Sequence, residues 1–242
     1  MKAAYPTIYR DNHGEEQTVI ENDGQTLRMV VRGVEFIGRS FGNFDGLTPK
    51  TQDEGTLARF TLDAHRDLVG ATLIFDVPMP LVTNSGTIPS TLTVQIDLEG
   101  AGPRAEADQD WADPRITLAV SDNRYVSSGG WGCFEMELLQ IQQRLPPDAY
   151  MKCCFNCAFS GYNPAGNGLW GMFCHRNHKE EYVQANNKPD WFRLNRDAAG
   201  YVQEIHLCPE FQRWNGETGY RDELFVNRLS VAEERTNSSE KI

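Results

Sequence analysis

Apolar and polar residues alternate along several short segments in the first half of the chain. In TLTVQIDL (residues 91–98) every second residue is apolar, beginning with Leu92. In ATLIFDV (residues 71–77) every second residue is also apolar, beginning with Ala71. Successive side chains of a β-strand point to opposite faces of the sheet, so this period of two predicts strands with one buried face. Shorter strands are predicted at residues 57–62 and 116–120.

Glycine, proline, asparagine and aspartate separate these segments and predict turns. TLRMVVRGVEFIG is predicted as strand sequence broken near Arg32 and Gly33, because glycine permits a bulge or a tight turn there. Further turn signals are NDG, NFDG, TNSG and GAGP, at residues 22–24, 43–46, 83–86 and 100–103. Many short strands with turns between them predict a mainly β fold, an antiparallel sandwich or an open barrel. We predict one β-rich domain over residues 1–242.

The second half of the chain alternates less clearly. Residues 134–145 (FEMELLQIQQRL) fit both a strand and a helical stripe, and we assign them to a strand. RNHKEEYVQ predicts the start of a helix, with Asn177 as the N-cap residue and Glu180 completing a capping box. Residues 201–207 return to strand-like alternation, and residues 222–235 fit either a helix or a strand.

Composition and charge restrict the function classes. The chain has 242 residues, of which 40% are hydrophobic, and 23 basic against 34 acidic residues give a formal net charge of −11. Nucleic acids and anionic membranes reward clustered lysine and arginine, so neither is expected as the main partner. No apolar run approaches the roughly 18 residues of a membrane-spanning helix, and the N-terminal residues lack the apolar segment of a secretory signal. A cytoplasmic location is therefore expected.

Cysteine is concentrated in one part of the chain. Four of the six cysteines lie in KCCFNCAFSGYNPAGNGLWGMFC (residues 152–174), and another follows at Cys208. Cytoplasmic thiols stay reduced, so cysteines at short spacing indicate metal ligands rather than disulfides. Structural Zn²⁺ takes four cysteine or histidine ligands in a tetrahedron, and a C-x2-C pair supplies two of them from one turn.

We predict a structural zinc site, without catalytic function, in a zinc-binding subregion at residues 150–212 that also carries one or two short helices. The predicted ligands are Cys154, Cys157, Cys174 and Cys208. Four other residues stay open as replacements for one of these ligands: Cys153, His175, His178 and His206. Buried free thiols are the plainer interpretation of the same cysteines. A redox C-x-x-C pair fits less well, because no βαβ pattern surrounds it.

Catalytic motifs are missing from the sequence. It contains no P-loop, no G-x-S-x-G nucleophile elbow and no H-E-x-x-H zinc motif. A catalytic zinc ion would need an open coordination position and a nearby carboxylate base. Glu180 is close in sequence to the cysteines, but helix capping explains it better. The sequence therefore predicts that the protein is not an enzyme, with a zinc-dependent hydrolase acting through Glu180 or His178 as the weakest alternative.

Two segments carry a resemblance to known proteins. MKCCFNCAFSGYNPAGNGLWGMFCHRNHKEEYV and VQEIHLCPEF resemble a widespread group of bacterial proteins of unassigned activity, associated with polymorphic-toxin and immunity gene neighbourhoods. The resemblance covers about residues 150–212. It implies that Cys154, Cys157, Cys174 and Cys208 are metal ligands.

Three function classes follow from these observations. The first is an immunity protein that binds a cognate bacterial toxin and occludes its active site, and its negative charge would speed its encounter with a basic partner. The second is a β-sandwich adaptor or ligand-binding module. The third is the zinc-dependent hydrolase. We favour the immunity protein, with the adaptor as the alternative.

Overall fold

A computed structural model of the protein describes residues 2–45, 54–63, 67–99, 111–129, 134–162, 172–195, 200–215 and 219. The strands in this part of the chain are β1 (Ala3–Asp11), β2 (Gly14–Asn22), β3 (Leu27–Val31), β4 (Val34–Ser40), β5 (Asn43–Asp45), β6 (Ala71–Pro78), β7 (Leu81–Thr83), β8 (Gly86–Ile88), β9 (Thr91–Glu99), β10 (Trp111–Val120), β11 (Asn123–Val126), β12 (Tyr150–Met151), β13 (Ser160–Gly161), β14 (Met172–Cys174) and β15 (Tyr201–Val202). The α-helices are α1 (Glu54–Leu57), α2 (Phe134–Arg144), α3 (Lys179–Gln184) and α4 (Lys188–Asn195), and two 3₁₀ helices span Cys154–Asn156 and Arg176–His178.

One nine-stranded antiparallel sheet forms most of the fold. Its strand order is β11-β10-β9-β6-β1-β2-β3-β4-β5, and two three-stranded sheets have the orders β12-β7-β8 and β13-β14-β15. The two clearest sequence predictions pair with each other, since Phe75 of β6 lies opposite Val94 of β9. Their apolar residues are buried on one face of the sheet. The predicted mainly β, antiparallel fold is confirmed.

The large sheet is strongly curved. Four steps in the strand order separate β4 from β6, so a flat sheet with strands about 4.8 Å apart would hold them roughly 19 Å apart. Instead, Phe41, just after β4, stacks on Phe75 of β6 with 5.0 Å between ring centroids. The Leu68 amide also donates to the Phe44 carbonyl oxygen at 3.2 Å. The sheet therefore wraps around a single core and stays open, with β5 and β11 at its two ends.

Most of the turn predictions that fall on described residues are confirmed. Arg32 and Gly33 both have positive φ, at 50° and 78°, and join β3 to β4 as a two-residue hairpin turn. Residues 22–24 and 83–86 also contain turns. The NFDG signal is wrong in its first three residues, because Asn43–Asp45 form strand β5. The signal at residues 100–103 lies outside the described residues.

Residues 134–145 are predicted as a strand, and this prediction is wrong. Phe134–Arg144 form helix α2, whose first turn carries two glutamates and whose last turn carries Arg144, in agreement with the helix dipole. Phe134, Leu138 and Ile141 are buried at helical spacing. The helix packs on β10 and β11. The sequence pattern fits both a strand and a helix, and packing against β10 and β11 favours the helix.

The remaining helix and strand predictions have mixed outcomes. Residues 116–120 lie in β10 as predicted, whereas residues 57–62 contain the end of α1 and a turn, and only Leu62 makes an isolated bridge, to Leu68. The predicted helix after Arg176 is confirmed as α3. None of the helices in the described ranges combines the length and apolar character needed to cross a membrane. Residues 222–235 lie outside those ranges.

The cap predicted for α3 is wrong. Its N-cap residue is His178 rather than Asn177, and no side chain donates or accepts a capping hydrogen bond there. The preceding 3₁₀ helix, Arg176–His178, occupies the residues that would form the capping box. Glu180 lies exposed in the first turn of α3, where its charge favours the helix dipole.

Residues from the C-terminal half complete the core of the large sheet. Cys153, Phe155 and Ile205 are fully buried members of that core. The turn between β2 and β3 approaches the same region closely, because a Cβ atom on Gly24 would lie only 3.3 Å from the His206 ring. Gly24 also has a φ of +97°, so this position suits glycine on both grounds.

Candidate metal centre

Three segments of the chain meet beside the core and bring the predicted ligands together. The Cys154 amide donates to the His206 carbonyl oxygen at 3.0 Å, and the Phe155 amide donates to the Glu204 carbonyl oxygen at 2.8 Å. The Cys174 amide donates to the Gly200 carbonyl oxygen at 3.0 Å. Backbone hydrogen bonds therefore place Cys154, Cys174 and the segment leading to Cys208 next to each other.

The C-x2-C pair forms a tight turn. Cys154–Asn156 is a 3₁₀ helix, and the Cys157 amide donates to the Cys154 carbonyl oxygen at 3.0 Å. The Ser160 hydroxyl lies within hydrogen-bond distance of the carbonyl oxygens of both cysteines. Two cysteines are thus held on one short, internally bonded turn, as a structural metal site requires.

The thiols of three segments share one buried cluster. Cys154, Cys174 and Cys208 pack with Met172 and Val202, and the exposed fractions of these three cysteines are 2%, 6% and 7%. Cys157, at 6%, packs in the neighbouring aromatic cluster. The four predicted ligands all lie among the described residues, whereas Cys133 lies outside them.

The cysteine sulfurs are close enough to influence each other electrostatically. Burial raises the pKa of Cys154 well above its ordinary value, and the thiols of Cys157, Cys153, Cys174 and Cys208 raise it further, in that order. A second thiolate beside the first is disfavoured because like charges in a buried site repel each other. A bound divalent cation reverses this effect and allows several thiolates side by side.

The donor set fits structural Zn²⁺ in kind, since four thiolates are a common tetrahedral ligand set for that ion. All five described cysteines are free thiols. Within the described ranges, however, no three histidine, cysteine, aspartate or glutamate side chains are arranged to hold a metal ion. The fold brings Cys154, Cys174 and Cys208 into one cluster and Cys157 into the neighbouring one, and the assignment of the four as ligands stays a prediction.

The alternative ligands lie in different surroundings. His175 is fully buried on the other side of β14, stacked on Tyr182 with 4.3 Å between ring centroids, and burial lowers the pKa of His175 to about 4. His206 packs over the β2–β3 turn. His178 is half-buried at the start of α3. Cys153 lies in the main core, where burial raises its pKa to about 12.

One charged side chain, which the sequence analysis did not single out, contacts the candidate ligands. Arg176 Nε donates to Cys174 Sγ at 3.1 Å. This hydrogen bond is the main cause that raises the pKa of Arg176, and electrostatic interactions with Cys174, Cys208 and Cys154 add to it. The sequence offers a weak signal for this role, since Arg176 is two residues after a predicted ligand.

A buried carboxyl group lies close to the same cluster. Glu204 is 5% exposed, and the Tyr162 hydroxyl donates to its Oε1 at 3.0 Å. Burial raises the pKa of Glu204 to about 7, although hydrogen bonds from its own backbone and from Tyr162 act in the opposite direction. Residues 203–206 form a turn rather than the predicted strand, which is limited to Tyr201–Val202. Glu204 is therefore drawn into the interior, where an alternating strand pattern gave no reason to expect it.

A second buried charge cluster lies on the large sheet and has a structural role. Arg32 donates two hydrogen bonds to the carboxylate of Asp11, at 2.6 and 2.7 Å, and Tyr9 donates a third at 2.8 Å. Burial raises the pKa of Asp11, but hydrogen bonds from Arg32 and Tyr9 outweigh it and lower the pKa to about 2. The Arg32 guanidinium also lies over the rings of Tyr9 and Phe60. This pair ties the β3–β4 turn to the end of β1.

Comparison with known families gives a match to the part of the chain that contains the large sheet. Residues 3–160 match the family of unknown function DUF6304. The chain belongs to the DUF6304 family. No curated protein and no solved structure matches it. The matched part of this DUF6304 protein includes the large sheet, Cys154 and Cys157, and it ends before Cys174 and Cys208.

Proposed function

We propose that this DUF6304 protein is a binding protein whose C-terminal region is held together by one structural Zn²⁺ ion. The ligands are the thiolates of Cys154, Cys157, Cys174 and Cys208. The observation that carries the proposal is that Cys154, Cys174 and Cys208, from three distant segments, pack in one buried cluster, with Cys157 at the end of the same 3₁₀ turn as Cys154. The ion contributes to folding rather than to a reaction.

The small size of the surrounding core supports a folding role. Strands β13, β14 and β15 have only two or three residues each, so their hydrogen bonds alone stabilise little. Zinc binding contributes on the order of 10 kcal/mol in small zinc modules at neutral pH. A four-thiolate site is also closed, with no position for substrate or water. These two points support a structural ion over a catalytic one.

Metal analysis tests this proposal. Protein purified under reducing conditions is expected to carry about one zinc ion per chain, measured by mass spectrometry of the native protein and by elemental analysis. Removal of the ion by a chelator is expected to expose four thiols to a thiol reagent and to make the C-terminal region sensitive to protease. Folded protein that takes up no zinc under reducing conditions would contradict the proposal.

We further propose an immunity-type role, in which the protein binds a basic bacterial toxin and covers its active site. The net charge of −11 supports this, because complementary charge speeds encounter and selects partners. Co-expression with the toxin encoded beside it is expected to restore growth and yield a complex whose association slows with added salt. If the toxin neither binds this protein nor is inhibited by it, the immunity role is wrong.

A further inference from the structure

Arg176 is placed to act on the sulfur atoms of the candidate metal centre. Its side chain is half-buried, and Nε lies 3.1 Å from Cys174 Sγ, within hydrogen-bond distance for a sulfur acceptor. Arg176 begins the 3₁₀ helix that follows β14, so the turn after the strand directs its side chain back to Cys174. The same guanidinium interacts electrostatically with Cys208 and Cys154.

The nearby charged groups leave Arg176 available to the sulfurs. Glu210, two residues after Cys208, forms an ion pair with Lys179 at 3.0 Å. Arg176 also lowers the pKa of Glu210, but less than Lys179 does. Glu210 is therefore paired with Lys179, and the direct hydrogen bond from Arg176 goes to a cysteine sulfur.

We propose that Arg176 is a positioning residue of the metal centre, supplying a hydrogen bond and a positive charge that keep zinc-bound Cys174 thiolate in place. This inference rests on the proposed structural zinc site. A divalent ion with four thiolates carries two excess negative charges in a buried site, and one guanidinium offsets half of that excess. An N–H donor on a thiolate also lowers the electron density available for attack by a proton or an oxidant. Outer groups of this kind typically change metal affinity about 10-fold to 100-fold.

Two substitutions separate charge from structure. Arg176→Gln removes the charge, Arg176→Lys keeps it without the planar donor group, and Arg193→Gln is the matched control. Arg193 lies on α4, with its side chain 75% exposed and paired only with Asp190 among the described residues. The measurement is the rate at which zinc-loaded protein releases its ion to a coloured chelator, together with the melting temperature of each variant.

The expected result is zinc release at least about 10-fold faster for Arg176→Gln, an intermediate rate for Arg176→Lys, and an unchanged rate for Arg193→Gln. Peroxide treatment is expected to release zinc in the same order. If Arg176→Gln binds one zinc ion and releases it at the wild-type rate, the role of Arg176 is wrong while the zinc site stands. If the wild-type protein binds no zinc, the proposed function itself fails, and the role of Arg176 fails with it.

Discussion

Replacing Cys174 with serine is expected to abolish zinc binding and to unfold the C-terminal region while the nine-stranded sheet stays folded. Cys174 is the last residue of β14, the central strand of the small sheet, and its thiol packs against two other predicted ligands. Serine is a poor zinc ligand, so the remaining three thiolates would hold the ion much more weakly. The free energy lost is expected to be a large part of the roughly 10 kcal/mol typical of a structural zinc ion.

Native mass spectrometry, limited proteolysis and hydrogen exchange together check this prediction. We expect protection to be lost in residues 150–215 and retained in β1, β6 and β9. Cys153→Ser is the matched control, since Cys153 is equally buried but lies in the main core. It is expected to keep one zinc ion, although the buried hydroxyl lowers overall stability by about 1–3 kcal/mol. A Cys174→Ser variant that retains zinc and wild-type protection would rule out Cys174 as a ligand.

Glu204→Gln is expected to make the stability of the protein less dependent on pH between about pH 4.5 and 7. The pKa of Glu204 is raised by burial from 4.5 to about 7. Between these values the unfolded chain has lost the proton and the folded chain keeps it, so wild-type stability falls as pH rises from about 4.5 to 7 and then levels off. The difference corresponds to roughly 3 kcal/mol. The amide keeps an oxygen that can accept from Tyr162 and removes the ionisation.

Denaturant unfolding of zinc-saturated protein between pH 5 and pH 8 provides the measurement. Zinc binding adds its own pH dependence to both proteins, so the informative quantity is the difference between variant and wild type. That difference is expected to favour Glu204→Gln increasingly as pH rises towards 7, and to level off above pH 7. Glu210→Gln, an exposed glutamate nearby whose pKa is lowered by Lys179, is expected to show no such trend in this range. Parallel curves for Glu204→Gln and wild type would show that Glu204 ionises freely in the folded protein.

Strands β6 and β9 of the large sheet could be predicted from sequence because alternation of apolar and polar residues reflects burial of one face, whereas β1, β2 and β11 were not predicted. Residues 71–77 and 91–98 alternate since one face of each strand lies on the core, and their register follows the same alternation. The curvature of the sheet could not be predicted in this way. It depends on contacts such as Phe41 on Phe75, between residues far apart in the strand order.

The segments around the cysteines show which features of the candidate site cannot be predicted from local sequence patterns. Cys154 and Cys157 could be predicted as a pair from their spacing, and the structure adds that Cys174 and Cys208 pack against the first of them. Arg176 and Glu204 were missed, because their importance depends on neighbours brought in by the tertiary fold. The helix at Phe134–Arg144 was missed for a related reason, since its pattern fits two structures and β10 and β11 select one.

The DUF6304 match ends at residue 160, and this matters for the design of truncated fragments. A fragment stopped there would keep Cys154 and Cys157 but lose Cys174 and Cys208, together with Ile205, which fills part of the main interior. Such a fragment would lack two of the four predicted ligands and would expose apolar surface of the main core, so it is expected to aggregate. Truncations meant to isolate the family segment should therefore extend through residue 215.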